Sequence, residues 1–270
     1  MAATETHQPA APWRTPRELR VGLYALFGLV GVVLVICGAL SLLDHAARNT
    51  TVDVRTYSGV DSLVIDDASD VELTSAPAGA QLRVRARVTE GLGTPDRDVE
   101  QHDGALILSS SCGFFFGNCN VDYEIAVPPG TSVRVDATSG DVTAENLNSD
   151  VPVELESSAG DVTATDVTAP ELRISSSAGD VEARGVRAER VSAESSAGDV
   201  VLSLRAAPQR VATDSSAGDV QIVLPDEVYS VDASSSAGDV DTRDVRNDPA
   251  SRRIVEARSS AGDVRVEARR

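Results

Sequence analysis

From Val133 onward the chain alternates apolar and polar residues in short runs, and the runs recur. One apolar column holds Val133, Val153, Leu172, Val191, Val211, Val231 and Val255. Two residues beyond it come Val135, Leu155, Ile174, Ala193, Thr213, Ala233 and Ala257. A second column holds Val142, Val162, Val181, Val200, Val220, Val240 and Val264, followed two residues on by Ala144, Ala164, Ala183, Leu202, Ile222, Thr242 and Val266. Glu, Arg, Thr, Asp and Ser fill the positions between. A period of two sends alternate side chains to opposite sides of a strand, so the pattern predicts two short strands per unit, each with one buried and one wet face. Upstream, Ser62–Asp66, Leu82–Ala86, Ala105–Leu108 and Tyr123–Val127 read as strands without the repeat, separated by turns bearing Gly and Pro. No window past Leu43 keeps a helical period.

Between the two columns lies a fixed corner. Ser-Ser-Ala-Gly-Asp-Val occurs six times, ending at Val162, Val181, Val200, Val220, Val240 and Val264, with a looser Thr-Ser-Gly-Asp-Val ending at Val142. Its glycines (Gly140, Gly160, Gly179, Gly198, Gly218, Gly238, Gly262) are 20, 19, 19, 20, 20 and 24 residues apart. Such a period marks a unit that stacks on its own copies because it cannot bury its apolar face alone. The expected fold is an all-β parallel β-solenoid, or β-helix, of about 20 residues per coil, each strand pairing in parallel with its copy in the next coil. The wider last step contains Arg246–Ser251, which reads as a surface loop.

Ahead of the β region, Val21–Leu43 is an uncharged apolar run of 23 residues. As a helix it would be roughly 34 Å long, enough to cross a ~30 Å hydrocarbon core, and too long for the apolar part of a signal peptide. Arg14, Arg17 and Arg20 before it place the N-terminus in the cytoplasm and everything after about Asp44 outside the cell membrane. The expected organisation is a disordered tail over 1–20, a single transmembrane helix over 21–43, a linker over 44–59, a non-repetitive β cap over 60–130 and the repeat solenoid over 131–270. Cys37 then lies in lipid, while Cys112 and Cys119 flank an exported loop where a disulfide can form, with a metal pair as the weaker reading.

The string from Val121 to Val135 (Val-Asp-Tyr-Glu-Ile-Ala-Val-Pro-Pro-Gly-Thr-Ser-Val-Arg-Val), followed by the recurring Gly-Asp-Val corners, resembles the putative-adhesin family of bacterial envelope domains over about residues 60–270. The resemblance implies a β-solenoid of largely unknown function and brings no catalytic residues with it.

Composition narrows the chemistry. The formal net charge of -18 argues against nucleic acid, whose phosphates need a basic surface. Three histidines in the whole chain are a poor supply for acid–base work, and the repeated Ser and Asp lack a histidine base, so the expectation is a non-enzyme without cofactor. Asp141, Asp161, Asp180, Asp199, Asp219, Asp239 and Asp263 should form a ladder about 4.8 Å apart, where adjacent charges repel by roughly 1 kcal/mol in water. Turn hydrogen bonds, to backbone N–H groups and to hydroxyls such as Ser157 and Ser195, are the plain answer; divalent ions between coils are the rival. Phe114, Phe115 and Phe116 share the cysteine loop and read either as a plug over the first coil or as a contact tip.

The function these readings support is a membrane-anchored, non-catalytic surface scaffold or adhesin-like module facing cell-wall polymer, glycan or envelope protein. The alternative is an envelope-stress accessory that works with a membrane partner. Self-association through an uncovered C-terminal edge, Val264–Arg270, is a further expectation.

Overall fold

The computed structural model describes residues 26–39, 45, 48–91, 94–112 and 119–269. The chain divides into two units, Met1–Ala47 and Arg48–Arg270. In the first, residues 26–39 are helical. At 1.5 Å per residue the described helical stretch spans roughly 21 Å, less than a ~30 Å hydrocarbon core. Among the described residues no helix is long and apolar enough to cross a membrane. The expected transmembrane helix over Val21–Leu43 is corrected accordingly; residues 21–25 and 40–44 lie outside the described residues, as does the 1–20 tail.

The described residues of the second unit are all-β, with 22 strands in two 11-stranded sheets. The repeats give its middle. β8 (Ser132–Ala137), β10 (Val153–Ser157), β12 (Glu171–Ser176), β14 (Arg190–Ser195) and β16 (Arg210–Ser215) pair in parallel in one sheet. β9 (Val142–Glu145), β11 (Val162–Thr165), β13 (Val181–Val186), β15 (Val200–Leu204) and β17 (Val220–Pro225) do the same in the other. Like residues face like: Val142, Val162, Val181, Val200 and Val220 stand in one row, all buried. Each such side chain removed from water contributes about 1.5–3 kcal/mol, and the inward rows of the two sheets form one continuous core. A further corner follows β9, β11 and the body of β13, where Asn146, Asp166 and Gly185 stack in left-handed backbone at φ of 52°, 53° and 71°. Asn, Asp and Gly are the residues that tolerate that conformation.

Both ends depart from a simple winding in chain order. After β17 come β18 (Val228–Ser235), β19 (Val240–Asp241), β20 (Arg246–Asn247), β21 (Ile254–Ser259) and β22 (Val264–Arg269). The last coil does not lie outermost. β21 sits between β16 and β18, and β22 between β17 and β19. Val264 therefore faces both Val220 and Val240, and Val240 never meets Val220. The segment expected as a plain loop supplies the crossover: Arg246 and Asn247 pair with Val228 and Tyr229, and Ser251 Oγ donates to the Val228 carbonyl at 2.8 Å. The C-terminal edge expected to lie open is thus flanked on both sides over Val264 and Arg265, and the outer positions at this end belong to β18, β19 and β20.

At the other end lie β1 (Asn49–Tyr57), β2 (Ser62–Ala68), β3 (Val71–Ser75), β4 (Leu82–Glu90), β5 (Pro95–His102), β6 (Ala105–Cys112) and β7 (Cys119–Val127). β2 and β3 pair directly with β8 and β9, and β6 and β7 lie beyond them, again out of chain order. The stack then stops being parallel. β4 and β1 extend one sheet antiparallel to β7, and β5 extends the other antiparallel to β6. Residues 49–57, expected within a linker, are the edge strand β1.

Candidate functional site

The repeated corner explains its own sequence. In each unit the first motif serine points inward and donates across to the preceding coil: Ser157 to the Gly140 carbonyl at 2.8 Å, Ser176 to Gly160 at 2.8 Å, Ser195 to Gly179 at 2.9 Å. Glycine is required because a Cβ on Gly179 would stand 2.3 Å from the Gly160 oxygen, and one on Gly160 would stand 2.1 Å from that of Gly140. The constraint is close approach between coils, not a turn that only glycine can adopt. Each aspartate Oδ1 accepts the backbone N–H of the next aspartate in the stack, Asp180 from Asp199 at 2.8 Å for example. The ladder runs Asp70, Asp141, Asp161, Asp180, Asp199, Asp219, Asp263, Asp239, following the spatial order of coils. Backbone donors offset the repulsion, while the serine hydroxyls go to glycine carbonyls and not to the carboxylates. Among the described residues no group of three or more His, Cys, Asp or Glu is arranged to hold a metal ion. Asp122 continues the row at the N-terminal end, taking the Asp70 N–H; burial first, and the Asp70 charge next, push its carboxyl above the usual range.

Cys119 opens β7 and is not a free thiol. The Cys112 side chain and residues 113–118 lie outside the described residues, so the expected Cys112–Cys119 pairing and the roles of Phe114, Phe115 and Phe116 lie outside them too.

Two surfaces offer more than structure. The first is the outer face of the sheet that holds β8 to β16, where charges pair from coil to coil. Arg134 meets Glu154 at 2.6 Å, Arg190 meets Glu171 at 2.9 Å, and Arg210 meets Glu256 of β21 at 2.9 Å. Glu171 also takes Arg173, and hydrogen bonds from Arg190 and Arg173 hold its carboxyl below the usual range. Of these, Glu154, Glu171, Arg173, Arg190 and Arg210 line a shallow groove of about 470 Å³ running over β10, β12, β14 and β16.

The second is a cavity of about 240 Å³ at the N-terminal end, where the two sheets part. β1 turns Asp53, Arg55 and Tyr57 into it, β4 adds Val84 and Ala86, β5 adds Arg97 and Val99, and Leu108 of β6 and Tyr123 of β7 form its back. The cavity follows from topology. β4 and β1 are stacked beyond β7, whereas β5 alone lies beyond β6, so one sheet outreaches the other by a strand. Gln101 Nε2 donates to the Ser58 carbonyl at 2.9 Å and ties the two sheet ends together. Asp53 and Arg55 neutralise each other at 2.9 Å. Tyr123 is 2% exposed, and its hydroxyl makes no well-formed hydrogen bond among the described residues, although the Ser110 hydroxyl lies near enough to act on it. Ser110, the hydroxyl beside it, donates instead to the Asp67 carbonyl at 2.9 Å. Burial pushes the Tyr123 phenol up, with the nearby Arg97 charge pulling the other way. Of the lining residues Val84, Ala86, Leu108 and Tyr123 fell within strands read from sequence, whereas Asp53, Arg55, Tyr57, Arg97 and Val99 did not.

Residues 60–270 match the family model described as Toastrack DUF4097. The chain belongs to that family. The expected likeness to adhesin-named envelope domains is borne out by this match and by a solved structure of similar fold. A putative adhesin from Bacteroides fragilis NCTC 9343 is similar at 16% identity and a TM-score of 0.53, over 82% of this chain and 97% of that one. A putative lipid binding protein from Parabacteroides distasonis ATCC 8503 is similar at 13% identity and a TM-score of 0.45, over 81% and 96%. A putative cell adhesion protein from Clostridium sporogenes ATCC 15579 is similar at 14% identity and a TM-score of 0.39, over 82% and 100%. At such identities the likeness is one of fold. No curated protein matches this Toastrack chain.

Proposed function

We propose that this Toastrack chain is a non-catalytic binding module of the cell exterior, adhesin-like, whose partner is an extended envelope polymer or glycan. The observation that carries the reading is the outward charge array. Arg134–Glu154, Glu171–Arg190 and Arg210–Glu256 each bridge two neighbouring coils along one face, one pair for every two coils, and an extended polymer can engage several of them at once. The aligned shape of the Bacteroides fragilis protein, which carries an adhesin's name, supports the same reading. A non-catalytic role accords with the corner chemistry, since the repeated serines donate to carbonyls and the repeated aspartates accept from backbone. His102 meets Asp103 at 3.0 Å and its side chain is 85% exposed.

Co-sedimentation of the full chain with isolated, insoluble cell-wall polymer tests the proposal. The wild-type chain is expected to pellet with the polymer in a salt-sensitive manner. A variant carrying Arg173→Gln, Arg190→Gln and Arg210→Gln should stay in the supernatant while keeping its melting temperature within a few degrees. A wild-type chain that does not pellet, or a triple variant that pellets equally well, ends the reading.

A further inference from the structure

The cavity between the parted sheet ends combines four features that a solvated edge does not need. It is walled by aliphatic carbon from Val84, Val99 and Leu108 on facing sheets. It holds a phenol hydroxyl, on a residue 2% exposed, that makes no well-formed hydrogen bond among the described residues; the nearby Ser110 hydroxyl is committed as a donor to the Asp67 carbonyl. It presents Arg97, whose guanidinium has no ion-pair partner among the described residues and lies close enough to Tyr123 to influence its titration. The neighbouring Arg55 is already paired with Asp53, so the cavity carries one uncompensated positive charge. A buried, unmatched hydroxyl costs about 1–3 kcal/mol relative to a paired one, and an uncharged apolar wall beside a lone guanidinium favours a guest that brings both carbon and negative charge.

We infer that this cavity is a binding site for a small monocarboxylate with an apolar body, its carboxylate received by the Arg97 guanidinium and the Tyr123 hydroxyl. One carboxylate oxygen accepts from the phenol O–H and the head lies against the guanidinium, while the carbon body rests on Val84, Val99 and Leu108. The phenol is held neutral by burial and so remains a donor at neutral pH. At about 240 Å³ the cavity is smaller than the ~300 Å³ at which drug-sized sites begin, which limits the guest to one ring or a short acyl chain. The Asp53–Arg55 pair at the rim leaves no second cation for a dicarboxylate. This site lies between the sheets, not on their outer face, and does not depend on the polymer-binding reading.

Calorimetric titration of the full chain with phenylacetate, a probe of about ten non-hydrogen atoms, tests the assignment. Saturable one-to-one binding is expected with a dissociation constant on the order of 0.1–1 mM, within what so few atoms can support. Tyr123→Phe should weaken it about tenfold, and Arg97→Gln tenfold or more. On the wild-type chain the uncharged analogue phenylethanol should bind as weakly as phenylacetate binds to Arg97→Gln. Without ligand, Tyr123→Phe should melt at or above the wild-type temperature, because the change removes an unmatched hydroxyl. A melting temperature several degrees lower would mean that the hydroxyl has a structural partner, and would overturn the proposal. So would absence of saturation up to 10 mM, binding to both variants as tight as to the wild type, or phenylethanol binding as tightly as the acid. The alcohol comparison needs no variant and stays decisive even if a substitution disturbs folding.

Discussion

Each letter of the repeated corner answers a different physical demand. Serine satisfies a carbonyl in the coil beneath, glycine lets two backbones approach, aspartate accepts the N–H of the next coil, and valine fills the core. Gly179→Ala should therefore cost at least about 3 kcal/mol by chemical denaturation, because the new Cβ would meet the Gly160 carbonyl at 2.3 Å and two coils would have to move. Asp180→Ala strips the Asp199 N–H of its acceptor and should cost about 1–3 kcal/mol, whereas Asp180→Asn, which keeps an acceptor oxygen, should recover most of that. Asp239 is the last rung and its carboxylate serves no following N–H among the described residues, so Asp239→Ala should change stability by no more than about 0.5 kcal/mol. Equal losses at Asp180 and Asp239 would show that the ladder hydrogen bonds are not what the aspartates contribute. The sign of the pH effect is set at Asp122. Its carboxyl is raised in the folded state, so the folded chain holds a proton that the unfolded chain releases as pH climbs past the ordinary carboxylate range near 3.8. Stability tied to this group is intact at low pH and falls as pH rises through that range. Asp122→Asn should thus melt higher than wild type at pH 7 and no higher at about pH 3, as differential scanning at the two pH values can establish.

Tyr229 on β18 supplies a plug that the sequence reading sought at the other end of the β region. It is fully buried, its hydroxyl donates to the Pro225 carbonyl at 3.1 Å, and burial pushes its phenol up to about 12. Tyr229→Phe should cost about 1 kcal/mol for the lost hydrogen bond, while Tyr229→Ala should cost about 3–5 kcal/mol for the ring, both readable from urea unfolding. If both variants unfold like wild type, the ring is not part of the core. Strands built from the repeat were legible because each apolar column, such as Val162, Val181 and Val200, meets its own counterparts at one height. β1, β3 and β5 were not. β3 is short, and β1 and β5 place charged residues such as Asp53, Arg55 and Arg97 on the side that faces the other sheet, which hides the alternation a strand normally writes. The cavity shared that fate. It exists because antiparallel pairing brings Arg97 and Tyr123 together from different sheets, and no spacing along the chain encodes that meeting.

For the β unit as a whole, the repeat states what can stack on what but not in which order. Every corner presents the same Ser, Gly, Asp and Val at the same height, so the coil of β21 and β22 fits equally well above β17 or above β19, and it occupies the place between. A reading based on identical units assigns chain order by default, and the mismatch lies in the connection: Arg246, Asn247 and Ser251 bind back to β18 and carry the chain inward. The same reversal at the other end sets β2 and β3 inside β6 and β7. This order has a measurable consequence for local opening. Amides of an inner coil are released only when both neighbouring coils part from it, whereas those of an outer coil need one separation. Hydrogen exchange read residue by residue should therefore follow spatial rank and not chain position. Amides of β21 and the first half of β22 should be slower than those of β18 and β19, even though they lie nearer the C-terminus. Faster exchange over Ile254–Ser259 than over Val228–Ser235 would mean that the final coil lies outermost in solution, and the ladder order ending Asp219, Asp263, Asp239 would have to be redrawn.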